Sequence, residues 1–101
     1  MNTEQAATLT EQIGRMTIFA ISGGRVRLTD GTLVLPVASG YTVEIDYSEG
    51  TDTYTVRRVF NRAGKRWIKG EITNVYCDQV GELAYRAHAF RSYEFGEAVT
   101  A

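Results

Sequence analysis

Three groups of residues in this 101-residue chain have types and spacings from which chemistry is built. Cys77 and His88 are its one cysteine and one histidine. A thiol becomes a nucleophile when a base within hydrogen-bond reach helps to form the thiolate. Glu44 and Asp46 alternate along a segment of β-strand character, which puts them on one face about 7 Å apart. Two carboxylates at such a spacing can divide acid and base work. Finally, Arg57, Arg58, Arg62, Lys65, Arg66 and Lys69 form a run of six cations with no anion inside it, interleaved with Phe60 and Trp67. Cations hold phosphates or acidic protein surfaces, and exposed aromatic rings stack on unpaired bases.

Each group also has a plainer reading. Cys77 precedes the turn-like "DQVG", and His88 lies several residues into the segment that follows. Cys77 would then face residues near Gly81, as a small buried thiol beside a turn. Glu44 and Asp46 have cations on the neighbouring strand and belong to a solvated sheet face. In the basic run, Glu44 falls opposite Arg57 and Phe60 pairs with Trp67, so a charge-paired sheet accounts for part of it. The functional reading of the run is a partner-binding surface made by Arg57, Arg58, Arg62, Lys65, Arg66, Trp67 and Lys69. A protein partner, either another protein or a second copy of the chain as a homodimer, ranks ahead of nucleic acid. No residue is assigned a catalytic role and no enzymatic activity is expected. One cysteine and one histidine do not supply the four ligands of a structural zinc site. Gly23 and Gly24 lack the spacing of a dinucleotide or phosphate loop. No metal or cofactor is therefore expected.

The charge balance narrows the partners. The formal net charge is −1 and the isoelectric point about 5.8. Outside the basic run, five cations stand against twelve anions. Long-range attraction to a polyanion is weak in such a chain, while a local basic face remains available. A single cysteine permits no intrachain disulfide and suits a reducing, cytoplasmic setting. No apolar run approaches the roughly 20 residues of a membrane span. The first residues, "MNTEQAATLTEQIGR", lack the basic and apolar regions of a signal peptide.

The elements that would position these residues read as mostly strand. Residues 1–16 form a short amphipathic helix, with Ala6, Leu9 and Ile13 on one side, or a flexible tail. Residues 17–93 read as a single β domain, and residues 94–101 as a tail. "TIFAI" has the β-branched and aromatic content of a strand. In "RVRLTDGTLVLP", Asp30-Gly31 predicts a two-residue hairpin turn that sets Thr29 opposite Thr32, Leu28 opposite Leu33 and Val26 opposite Leu35. "YTVEIDYS" and "TYTVRRVFN" pair as Tyr47–Tyr54, Ile45–Val56 and Glu44–Arg57. The broken alternation at "RRVF" predicts a β-bulge near Arg57-Arg58. "RWIKGEITNVYC" is a long strand bending at Gly70, and "ELAYRAHAF" returns as the next strand. The expected fold is all-β: an antiparallel meander closed as a small barrel or folded as a two-sheet sandwich, with SH3-like geometry one form of it.

With Arg58-Val59-Phe60, Gly64-Lys65 and Trp67, "KGE", "NVYCDQVGELAYRA" and "FRSYEFGE", the C-terminal half resembles a family of small proteins encoded by phages that infect actinobacteria. The resemblance covers about Arg57 to Glu97. It implies a small accessory phage product, made in the host cytoplasm, with no assigned enzymatic activity and acting by binding.

Overall fold

The computed structural model describes residues 1–89. Helix α1 (Thr3–Ile13) begins at a capping box. The Asn2 side chain accepts from the Gln5 backbone N–H at 2.8 Å, and the Gln5 side chain accepts from the Asn2 N–H at 2.9 Å. This satisfies donors that a helix start otherwise leaves open. Ala6, Leu9 and Ile13 are buried, on the side their spacing indicated. The segment is therefore part of the core, not a tail.

Helix α2 (Arg15–Ser22) replaces the strand expected at "TIFAI". Glycines explain the difference. Gly14, at φ +94°, separates α1 from α2, and Gly23 ends α2 in the left-handed region with its N–H donating to the Phe19 carbonyl at 2.9 Å. Between them Ile18 and Ile21 are buried at helical spacing. The helix penalty of β-branched residues is only a few tenths of a kcal/mol each, well below what about 2 kcal/mol per buried aliphatic side chain recovers.

Strands β1 (Arg27–Thr29) and β2 (Thr32–Pro36) flank the Asp30-Gly31 turn, with both turn residues at positive φ. The ladder pairs Thr29 with Thr32 and Leu28 with Leu33, as expected, but begins at Arg27 and leaves Val26 outside it. The Met1 ammonium group donates to the Gly31 carbonyl at 2.6 Å. A single 3₁₀ turn (Ala38–Gly40) leads into β3 (Tyr41–Ser48), followed by β4 (Thr53–Arg62) and β5 (Lys65–Val75). The five strands form one antiparallel sheet in sequence order. Tyr47–Tyr54, Ile45–Val56, Glu44–Arg57 and Phe60–Trp67 pair in the expected register.

The bulge lies beside Arg58, but its extra residue is Lys69 on β5, next to Gly70. β4 therefore alternates through "RRVF" without interruption. Arg57 and Val59 share one face with Glu44 and Thr42, and Arg58 and Phe60 share the other with Val43 and Tyr41. A second irregularity, between Tyr54 and Val56, falls opposite Asn74, which has φ 56°.

The expected return strand "ELAYRAHAF" is instead helix α3 (Val80–Ala89) within the described residues. Val80, Ala84 and Ala87 are buried at spacings of four and three. At Gly81, α3 comes close to the end of α1: a Cβ there would lie 3.1 Å from the Ile13 carbonyl oxygen. The three helices cover one face of the sheet. The core joins Leu9, Ile13, Ile18 and Ile21 to Leu33, Leu35, Val43, Ile45, Val56 and Val75, with α3 closing over them. The sheet remains open, with β1 and β5 at its edges. The barrel or second sheet is not formed, because helices supply the second layer. The tail read at residues 94–101 lies outside the described residues.

Candidate interaction surfaces

Strand alternation divides the basic run between two faces and an end. On the sheet face away from the helices, Arg57 lies between two carboxylates. Its Nε donates to Glu71 Oε2 at 2.6 Å, and its Nη1 donates to Asp46. Arg66 reaches Glu44, whose other oxygen accepts from the Thr42 hydroxyl at 3.1 Å. Asn61 donates to Thr42 Oγ1 and to the Gly40 carbonyl, both at 3.1 Å. Thr32 donates to Asp46 Oδ1 at 2.6 Å. Burial would raise the Asp46 pKa, but the hydrogen bonds from Thr32 and Arg57 outweigh it and hold the carboxyl below its usual range. Burial likewise works against the charge on Arg57, and the hydrogen bonds to Asp46 and Glu71 more than reverse this. Glu44 and Asp46 thus form a charge ladder with arginines. A general acid needs its pKa pushed upward, and Asp46 goes the other way.

Arg58 points to the opposite face. It is buried there, with its guanidinium carbon 4.0 Å from the centre of the Tyr41 ring. Its Nη1 donates to the carbonyls of Ala87 at 2.6 Å and His88 at 3.1 Å. Hydrogen bonds from a charged donor are the stronger ones, and these two join β4 to α3. Arg58 therefore fastens α3 to the sheet.

Arg62, Lys65 and Trp67 remain exposed near the tip of the β4–β5 hairpin, where Ala63 and Gly64 turn with positive φ, and Lys69 is exposed further along β5 at the bulge. Among the described residues no carboxylate pairs with Arg62, Lys65 or Lys69. Trp67 continues a row of rings. The Tyr41 and Phe60 centroids are 4.9 Å apart, and those of Phe60 and Trp67 are 5.8 Å apart. Of the seven residues expected to form a binding strip, four are therefore exposed along the outer part of this hairpin and three are engaged within the fold.

Cys77 is exposed, not buried. It precedes α3, whereas His88 lies in the last described turn of that helix, roughly 15 Å away by helical rise. The His88 ring packs edge-on against Tyr85 at 4.9 Å, and its Nδ1 lies 2.9 Å from the Tyr85 carbonyl. The thiol and imidazole do not form a pair. Among the described residues no three His, Cys, Asp or Glu side chains gather to hold a metal ion. No helix among them is long and apolar enough to cross a membrane.

Sequence reasoning missed a second surface. Met16 and Phe19 on α2, with Val26 and Leu28 at β1, are exposed apolar side chains. A groove beside them is lined by Thr10, Glu11, Arg15, Ile18, Phe19 and Val26. Reading residues 15–22 as a helix, from the glycines on either side, would have placed Met16 and Phe19 away from buried Ile18 and Ile21.

Comparison with known protein families, with curated proteins and with solved structures finds no match.

Proposed function

We propose that the protein is a non-enzymatic binding protein that docks the exposed end of its β4–β5 hairpin onto an acidic surface of another protein. The observation behind this reading is the contrast within the basic run. Arg57 and Arg66 are matched by carboxylates, while Arg62, Lys65 and Lys69 stand free of them among the described residues. Opposed cations contribute to the sheet, whereas unopposed ones steer an anionic partner and fix its register. Trp67, 37 % exposed among these cations, supplies the apolar anchor that such contacts need. An accessory phage product acting on a host protein in the host cytoplasm is the setting we propose for it.

Charge reversal at Arg62, Lys65 and Lys69 tests the reading. Affinity capture from host lysate is expected to retain a discrete protein with the wild-type chain and to lose it with the triple variant. Equal capture by both would overturn it. The ring row Tyr41–Phe60–Trp67 favours a second reading, a single-stranded nucleic acid stacked on the same end. That reading requires steep salt dependence in a titration with labelled DNA and RNA strands. Absence of binding at tens of micromolar protein in low salt would rule it out.

A further inference from the structure

We infer that the face formed by α2 and the β1 edge is a two-fold interface between two copies of this chain. The inference is independent of the hairpin surface. Met16 is 81 % exposed and Phe19 67 %, and Val26 and Leu28 beside them are 37 % and 41 % exposed. The other large apolar side chains exposed among the described residues, Trp67, Tyr76 and Tyr85, belong to β5, to the segment after it and to α3. The apolar exposure of α2 and β1 is therefore concentrated. Exposed apolar side chains gathered on neighbouring elements in this way mark an interaction surface.

What covers it follows from shape and charge. Ile18, Phe19 and Val26 give the groove an apolar lining, and Phe19 also stands out from it. The face thus carries both a projecting ring and a recess. Glu11 and Arg15 line the same groove and form no ion pair with each other. A two-fold axis brings residue i of one copy to residue j of the other, and j to i. Under that operation Glu11 of each copy meets Arg15 of its mate, and each Phe19 enters the opposite groove. One acid and one base on one apolar groove are self-complementary in this way. A partner with a single sign of charge would leave one of them opposed by a like charge or by none. The net charge of −1 offers little repulsion between copies. At the side of this face β1 has only β2 as a neighbouring strand among the described residues, and all three of its residues are exposed. Its outer edge is open to a second strand or to the mate's side chains.

Sedimentation equilibrium of the full chain, from one to several hundred micromolar, tests the inference. The expected species is twice the 11.2 kDa chain mass. Phe19→Asp is expected to give a monomer with unchanged circular dichroism, since this side chain already faces solvent. The charge swap decides the matter should Phe19→Asp fail to fold. Glu11→Arg and Arg15→Glu should each weaken the dimer about ten-fold, and the double variant should recover most of that loss. A monomer throughout the range would overturn the inference. So would a dimer that persists in folded Phe19→Asp, or single reversals that the double variant does not rescue.

Discussion

Asp46 shows how a residue's protonation is tied to the stability of this sheet. Thr32 and Arg57 donate to its two oxygens, and its folded pKa lies below the ordinary value of 3.8. A carboxyl whose pKa is depressed on folding stabilises the native state above its unfolded pKa. That contribution fades as pH falls through the folded value. The native state should therefore lose stability as pH drops from about 5 toward 2. In Asp46→Asn this acid limb should be shallower, measured by urea denaturation across that range. An identical pH dependence in the variant would show that Asp46 is not one of the groups responsible. The Arg57 guanidinium that helps to hold Asp46 ionised also bonds Glu71, so three strands share this linkage. The Cα register places Glu44 directly opposite Arg57, and that pairing was legible in the sequence. The ion pairs were not. Arg57 reaches diagonally to Asp46, and Arg66 takes Glu44 from two strands away. Long side chains choose among direct and diagonal neighbours, a choice that strand alternation alone does not determine.

At the scale of elements, turns decided what could be read. Asp30-Gly31 and the Ala63-Gly64 tip have the positive φ that two-residue hairpins require, and each turn set the register of the pairs next to it. The helices were harder to read. Val80, Ala84 and Ala87 recur at helical spacing, yet "ELAYRAHAF" also alternates, and burial against α1 and β4 selects the helix. Glycine positions give this scale its sharpest test. Gly40 has φ +84°, and a Cβ there would lie 2.8 Å from the Asn61 carbonyl oxygen. Gly50 has no left-handed φ and nothing within 4 Å of a Cβ. Gly40→Ala should cost about 2 kcal/mol or more through strain and backbone contact, whereas Gly50→Ala should be neutral or stabilise by up to about 1 kcal/mol. Urea midpoints of the two variants measure the difference. Equal stability would contradict the turn geometry described for Ala38–Gly40.

Taken as a whole molecule, the chain builds a two-layer fold in which helices substitute for a second sheet. The meander was legible because each strand pairs with its sequence neighbour. Its openness was not, because closure depends on what covers the apolar face, and the two covering helices α2 and α3 read locally as strands. The same architecture divides the basic run. One face of the sheet uses Arg57 and Arg66 to balance carboxylates, the other uses Arg58 to hold α3, and the outer part of the hairpin leaves Arg62, Lys65 and Lys69 to solvent. This division is the central claim, and alanine substitution at all six positions tests it by a single observable, the urea denaturation midpoint. Arg57→Ala, Arg58→Ala and Arg66→Ala should lower it, Arg58→Ala the most, by an amount worth about 1.5–3 kcal/mol of unfolding free energy, since it removes the charged donor to the Ala87 and His88 carbonyls. Arg62→Ala, Lys65→Ala and Lys69→Ala should stay within about 0.5 kcal/mol of the wild type. Six midpoints that shift alike, or a hairpin-end substitution as costly as Arg58→Ala, would contradict it.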